Sequence, residues 1–312
     1  MNAQASVGEF EALRPHLMAV AYRLTGTVAD AEDVVQDAWL RWRSAGVVRD
    51  EIADLRAWLT TVVSRLSLDL LRSAAHRRET YVGQWLPEPV VTDLPGADPL
   101  TAVVAADGAR FVAMVVLERL TPDQRVAFVL HDGFAVPFSE IAEALGVTDA
   151  AARQLASRAR RTVSAEPPPA RDSAHAEVVG RLMAAMAAGD MTAVVALLHP
   201  DVSYTADANR RAPTAARVIR GADQVGRFLF GLARRYGPRF VESVRPALVN
   251  GELGLYTAGL AADGDWPQMA PHIQAITVRD GQVVAFWDVA NPDKFTGSPL
   301  RQPTAPDSHP PS

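Results

Sequence analysis

Apolar residues recur at intervals of three and four near the N-terminus, the spacing of one face of an α-helix. Phe10, Leu13, Leu17, Val20 and Leu24 make one such stripe, and Leu55, Leu59, Val62, Leu66 and Leu70 make another. Thr25-Gly26-Thr27 breaks the first helix, Asp30 is placed to cap the next, and SAGVVRDE (44–51) reads as a loop. The pattern stops over 79–107, where Pro87, Pro89, Pro95 and Pro99 forbid a long helix. Helical periodicity returns over 108–163. AEPPPARDS (165–173) then makes a stiff connection, and the ten residues of 164–173 reach at most about 31 Å as polyproline II.

From 174 the pattern changes again. Two helical runs, His175–Ala187 and Met191–Leu198, precede the strand-like DVSYTAD, and 222–235 is helical. Alternating runs follow: FVESVRPALV, LGLYTAGLA, IQAITVRDG and QVVAFWDVA, with Asp280-Gly281 as a hairpin turn between the last two. Helices followed by consecutive strands predict an α+β domain with a curved antiparallel sheet. The expected organisation is multidomain: all-α units at 1–78 and 108–163, linkers at 79–107 and 164–173, an α+β unit at 174–295 and a disordered tail at 296–312.

Composition narrows the chemistry. The chain has no cysteine, so disulfides, thiolate metal sites and cysteine nucleophiles are excluded, and its seven histidines show no two-histidine metal spacing. No metal or cofactor is expected. The N-terminus lacks the pattern of a signal peptide and no apolar run is long enough to span a bilayer, so a cytoplasmic protein without a membrane partner is expected. Net charge is −5, which disfavours bulk nucleic-acid binding and puts the weight on how charge is distributed. Every basic residue except Lys294 is arginine. Arginine suits bidentate contact with phosphate and guanine, although a GC-rich genome produces the same bias.

Residues 138–163, FSEIAEALGVTDAAARQLASRARRTV, have the plan of a helix-turn-helix. Ile141, Ala142 and Leu145 face inward, Gly146 supplies the turn, Val147 plugs the interhelical angle, and Thr148 or Asp149 caps a helix that buries Ala152, Leu155 and Ala159. That second helix exposes Arg153, Gln154, Ser157, Arg158, Arg160 and Arg161. Such side chains read guanine and adenine in the major groove and grip phosphates. The alternative is a helical hairpin with a solvated arginine face. DAEDVVQDAWLRWR (30–43) instead gathers Glu32, Asp33, Gln36 and Asp37 on one face. An acidic face repels DNA and fits a protein partner, or is simply solvated.

The acidic helix, the RAWL…LDLLR helix ending in basic residues and the helix-turn-helix opened by LTPDQR together resemble extracytoplasmic-function (ECF) sigma factors over 7–163. YVGQWLPEP (81–89), VNG (249–251) and NPDK (291–294) resemble the subgroup that carries a WLPEP linker and a C-terminal SnoaL-like cone. The resemblance implies an alternative sigma factor that binds core RNA polymerase, through its β′ and β subunits, and promoter DNA. It implies that Glu32, Asp33, Gln36, Asp37 and Trp39 grip β′, that Arg65, Arg72, Arg77 and Arg78 face the −10 element, and that Arg153, Gln154, Ser157, Arg158 and Arg161 face the −35 element. Many members have asparagine in place of Arg65, and a glycine-rich segment in place of DANRRAP (207–213). Trp85, Leu86, Pro87, Glu88 and Pro89 with Asn291, Pro292, Asp293 and Lys294 are marked as interdomain regulatory contacts. In the cone, Tyr204, Asp207, His272, Trp287 and Asp288 are candidate cavity residues for a small-molecule ligand. No acid–base pair stands at a telling spacing, so no catalytic residue is assigned. The alternative is a ligand-binding or isomerase-like SnoaL enzyme with a helical DNA-binding adaptor.

Overall fold

The structure is a computed structural model that describes residues 3–44, 52–78, 81–92, 109–165 and 173–296, without the side chains of 3–6 and 74–78. Residues 45–51 of the expected 44–51 loop, the prolines 95 and 99, most of the stiff connection at 166–172 and the tail from 297 lie outside the described residues, and Ser44 belongs to a helix. Three helices come first: α1 (Ala3–Thr25), α2 (Val28–Ser44) and α3 (Leu55–Arg78). Phe10, Leu17, Val20 and Leu24 are buried on α1, with Leu13 packed beside them. The cap of α2 is Thr27 rather than Asp30: the Asp30 amide donates to Thr27 Oγ1 at 3.2 Å while the Thr27 hydroxyl donates to Asp30 Oδ2 at 2.7 Å. Helix α3 buries Val63, Ser64, Ser67 and Leu68 as well as Leu59 and Val62. Its burial exceeds one stripe because it meets α1 and α2 on one side and the second helical unit on another.

That second unit comprises α4 (Phe111–Leu117), α5 (Pro122–Phe128) with a π turn over Val129–Gly133, α6 (Phe138–Leu145) and α7 (Asp149–Ala165). Thr121 and Gln124 form a reciprocal capping box that starts α5 at LTPDQR. Gly146, at φ +68°, closes α6 in the left-handed conformation its missing side chain allows, and Thr148 Oγ1 accepts the Ala151 amide to open α7. Val147 does not plug the turn; it is 39% exposed. Ala152, Ala156 and Ala159 are buried there instead. Such short side chains let helices approach until no gap remains for a valine, and Leu155 is only partly buried. Both helical units share one continuous core, to which Val90 of the linker also belongs.

The C-terminal unit runs α8 (His175–Ala187), α9 (Met191–Leu197), β1 (Leu198–Asp207), β2 (Ile219–Arg220), α10 (Ala222–Tyr236), α11 (Pro238–Ser243), β3 (Val244–Val249), β4 (Glu252–Thr257), β5 (His272–Arg279), β6 (Gln282–Val289) and a 3₁₀ turn Pro292–Lys294. The sheet order is β2-β1-β6-β5-β4-β3. Neighbours are antiparallel, as expected, except β1 and β6, which are parallel. FVES is not strand: with Pro238 at its first turn it closes α11, and β3 starts at Val244. Asp280 and Gly281 make the predicted hairpin, both at positive φ, and Asn250-Gly251 makes the same kind of turn between β3 and β4. One sheet face packs Tyr204, Leu255, Ile276 and Phe286 with residues of α8 and α10. The opposite face, Ala247, Val249, Ile273, Ala275 and Val289, receives Leu86 and Val91 of the linker and Phe111 of α4.

Candidate interdomain site and cavity

Residues 86–91 of the linker do not cross open solvent. Leu86, Pro87, Glu88, Pro89, Val90 and Val91 are all buried; this suits the apolar side chains, whereas the Glu88 carboxylate and the backbone N–H groups need partners. The β3–β4 turn supplies one. Val90 donates to Asn250 Oδ1 at 3.0 Å and accepts from the Asn250 amide at 2.8 Å, and Thr92 donates to Leu248 O at 3.3 Å. Val91 bridges Val249 in antiparallel fashion, so the linker adds to the exposed edge of β3. Asn250 Nδ2 also donates to Tyr22 Oη at 2.9 Å and to Ala109 O at 2.8 Å. The Tyr22 hydroxyl donates in turn to Glu88 O at 2.7 Å, and burial holds it well above the ordinary phenol range. One asparagine thereby ties α1, the linker, the start of α4 and the sheet together.

Glu88 is wholly buried at the start of α2. Its Oε2 accepts the Val28 amide at 2.8 Å, its Oε1 accepts the Thr296 hydroxyl at 2.6 Å, and its amide donates to Gly26 O at 2.8 Å. A carboxylate is favoured there by the helix dipole and by unpaired first-turn amides.

Lys294, the chain's single lysine, is 2% exposed. Its Nζ donates to Asp207 Oδ2 at 2.5 Å and to Leu86 O, and it sits 3.3 Å from the centre of the Trp85 ring. Asp207 accepts further bonds from the Leu86 amide at 2.8 Å and from the Tyr81 hydroxyl. Asn291 Nδ2 donates to Tyr81 Oη at 3.0 Å and Asn291 Oδ1 accepts the Asp293 amide, while Pro292 opens the 3₁₀ turn. Asp293 lies 3.7 Å from exposed Arg211. The two motifs WLPEP and NPDK therefore meet.

On the helical units, Asp33, Gln36 and Asp37 are exposed, Glu32 is half-buried, and Trp39 packs 4.9 Å from Phe10. Arg65 donates to Glu143 Oε1 at 3.1 Å and Glu143 O at 2.8 Å, and Arg72 to Asp123 Oδ1 at 2.8 Å; both acids belong to the second helical unit. Buried Arg125 donates to Leu24 O at 3.0 Å across the same junction, and to Glu118 of its own unit at 2.9 Å. Arg77 and Arg78 end α3 with side chains outside the described residues. On α7, Arg153, Gln154, Arg158 and Arg161 are exposed and Ser157 is half-buried. Arg153 stacks 4.7 Å over Phe138, and Arg160 pairs with Asp132 at 2.8 Å.

A cavity of about 400 Å³ opens on the other sheet face, among α8, α10, α11 and the strands, lined mostly by apolar side chains such as Met183, Phe228, Phe240 and Met269. Tyr204, His272 and Asp288 line it as expected. Asp207 and Trp287 do not. Asp207 pairs with Val289 and Trp287 with Thr205, one position out of phase with Asp288, so both point to the linker side. Asp207 binds Lys294 there, and Trp287 Nε1 donates to Thr277 at 3.0 Å. Wholly buried Asp288 accepts from His272 Nδ1 at 3.0 Å, from Thr214 at 3.1 Å and from Tyr204, whose hydroxyl also accepts from Gln274 at 3.1 Å. Burial alone would raise the Asp288 pKa, but the His272 charge and these hydrogen bonds outweigh it and hold the carboxyl below its ordinary value. Burial likewise works against a charged His272, yet the adjacent carboxylate leaves its pKa raised.

Comparison with known proteins adds the family. Residues 10–77 match the Sigma-70 region 2 model, 111–163 the Sigma-70 region 4 model and 179–296 the SnoaL-like domain model. The chain is 70% identical to the ECF RNA polymerase sigma factor SigJ of Mycobacterium tuberculosis over 299 residues, covering 95% of each. The chain belongs to the ECF RNA polymerase sigma factors. The crystal structure of Mycobacterium tuberculosis SigJ matches this sigma factor with a TM-score of 0.82 at 67% identity, covering 95% of this chain and all of that one. SigG of the same organism is 28% identical over 311 residues, 91% of this chain and 82% of its own. This sigma factor binds core RNA polymerase and directs promoter recognition and initiation, and carries a SnoaL-like domain at its C-terminus. No described helix is long and apolar enough to cross a membrane.

Sequence reasoning missed Tyr22, Tyr81, Asn250 and Thr296 as parts of the interdomain site. Asn250 had a signal, since Asn-Gly between apolar runs predicts a hairpin whose asparagine side chain stands at an edge. Tyr22 had none: it reads as one more residue of an apolar helical face.

Proposed function

We propose that this sigma factor has a closed form in which the SnoaL-like domain holds the 81–92 linker, and that initiation requires release of that linker. The carrying observation is the set of bonds that Asn250, Asp207 and Lys294 make to Leu86, Val90 and their neighbours. In this reading the acidic face of α2, with Glu32, Asp33, Gln36, Asp37 and Trp39, meets the β′ subunit. Asp33, Gln36 and Asp37 are already exposed in the closed form, so core binding precedes opening. The promoter contacts come after. Arg65 and Arg72, with Arg77 and Arg78, face the −10 element, and Arg153, Gln154, Ser157, Arg158 and Arg161 face the −35 element. Elements named for those positions lie about 25 base pairs, or roughly 85 Å of duplex, apart. Arg65 lies 3.1 Å from Glu143 of the helix-turn-helix, so both elements are engaged only after the helical units separate.

In vitro transcription with core polymerase tests this, using the full chain and Asn250→Gly. Glycine keeps the turn and removes the side chain that binds the linker. The variant is expected to initiate at lower concentration than the unaltered chain, with faster amide exchange across 81–92. Equal initiation despite faster exchange would sink the proposal.

A further inference from the structure

The cavity and the linker site lie on opposite faces of the same two strands, one residue apart. Asp288 faces the cavity, while Val289 and its parallel partner Asp207 face the linker. The Asp207 carbonyl accepts the amides of Ala290 at 2.8 Å and Asn291 at 3.1 Å, which fixes the start of NPDK to β1. The segment leaving β1 joins the two faces a second time. Thr214 donates to Asp288 in the cavity; Asn209 Oδ1 accepts the Val82 amide at 3.5 Å, and Arg211 pairs with Asp293, both on the linker side.

We propose that the cavity binds a neutral apolar molecule bearing a carbonyl oxygen, and that its occupancy changes how firmly the 81–92 linker is docked. The ligand class follows from the polar groups. Asp288 is already met by three donors, and the Tyr204 hydroxyl both donates and accepts. His272 uses Nδ1 on Asp288, and its Nε2 has no hydrogen-bond partner among the described residues. In its protonated form, which the Asp288 carboxylate favours, His272 offers Nε2–H to a ligand beside Asp288; Arg235 also lines the cavity, but its side chain is exposed and lies over the Tyr236 ring. A carbonyl oxygen accepts that bond without bringing charge to this end of the cavity, whereas a carboxylate there sits beside the Asp288 charge and away from the exposed Arg235. The apolar part of the lining, with Met183, Met186, Phe228, Phe240, Val244 and Met269, suits an apolar body. A molecule that bonds His272 changes its hold on Asp288, hence Thr214, the 208–214 segment and the strand ends that carry Asp207 and Asn291. Coupling of this kind requires only that the ligand favour one linker state over the other.

The proposal rests on the linker-docking reading, and its test reads docking directly, so the two fail separately. Menadione, methylnaphthalene and naphthoate present the same ring body with a carbonyl, no polar group and a carboxylate. The full chain, which has no cysteine for a quinone to alkylate, is titrated with each, and amide exchange is followed over 81–92. Menadione is expected to bind at least about tenfold more tightly than either analogue and to change exchange at Leu86 and Val90. His272→Gln, which keeps a donor near Asp288, is expected to erase that preference while methylnaphthalene binding stays the same. Equal affinity for all three probes overturns the ligand class. Saturable menadione binding with unchanged exchange at 81–92 overturns the coupling, even where Asn250→Gly still loosens the linker.

Discussion

Lys294 shows what a single side chain contributes. Everywhere else the chain uses arginine; here a compact ammonium fits between the Trp85 ring and the Asp207 carboxylate. Its Nζ reaches Asp207 Oδ2 and Leu86 O from one point above the ring, a geometry that the broad, fixed fork of a guanidinium does not reproduce. Removing the charge leaves Asp207 buried without its counter-ion, which typically costs about 3–5 kcal/mol. Lys294→Met is therefore expected to destabilise the docked form by that order in urea unfolding, and Lys294→Arg to recover little. The His272–Asp288 pair predicts a pH dependence. Asp288 is depressed from 3.8, so its contribution is present above that value and is lost as pH falls through the lower folded-state pKa. His272 is raised from 6.5, so its contribution is full below that value and is lost as pH rises through the higher folded-state pKa. The pair is thus most stabilising between the two. Urea midpoints are expected to decline as pH rises above 6.5 and through the higher folded-state pKa of His272, and to decline less in Asp288→Asn, where the imidazole has lost its anion. An identical decline in both proteins would count against the pair.

Elements bring separate predictions. Helix α2 starts on a carboxylate taken from the linker: Glu88 meets the Val28 amide while Thr27 meets Asp30. Glu88→Ala orphans a buried first-turn amide, a loss of about 1–3 kcal/mol. Faster exchange is expected at both 26–30 and 81–92, whereas a linker docked independently of α2 would show it only at the linker. On α7, Arg153 is held over Phe138. If Arg153 and Arg158 read bases, alanine at each costs about 1–3 kcal/mol at the matched site only. If they touch phosphate, all sequences weaken alike and the salt slope falls by about one per contact. Promoter binding and salt dependence that are both unchanged would remove α7 as the recognition helix. On α2, Asp33→Arg with Asp37→Arg is expected to abolish core binding with an unchanged circular dichroism spectrum.

At the scale of the whole molecule, magnitudes decide what keeps the chain closed. Arg65–Glu143 and Arg72–Asp123 are exposed pairs, and such pairs contribute about 0–1 kcal/mol each. Glu143→Ala with Asp123→Ala should therefore raise promoter binding by the full chain only a few-fold. The stronger closure is the continuous apolar core between the helical units, together with buried Arg125 on Leu24 O and the linker clasped by the sheet. A chain ending at 173 keeps the first of these and lacks the last. Its expected behaviour is core-dependent initiation at lower concentration than the full chain, assayed on the same promoter.

Much of this was legible in the sequence, and the reason is locality. Helical stripes, the Gly146 turn, the Asp280-Gly281 hairpin and the acidic and arginine-rich faces depend on neighbours a few residues away, as do the motifs that carry the family resemblance. Other features depended on which strands became neighbours. The parallel β1–β6 pair put Asp207 and Trp287 on the linker side and Asp288 in the cavity, a one-residue phase that no local pattern shows. Close helix packing exposed Val147, and the meeting of distant segments made partners of Tyr22, Glu88 and Asn250. The elements and their chemistry were readable along the chain, because periodicity and turn geometry are short-range. Which of those side chains face each other emerged from the folded chain, because that depends on strand order and on contacts between residues more than two hundred positions apart, as in Asn250 and Tyr22.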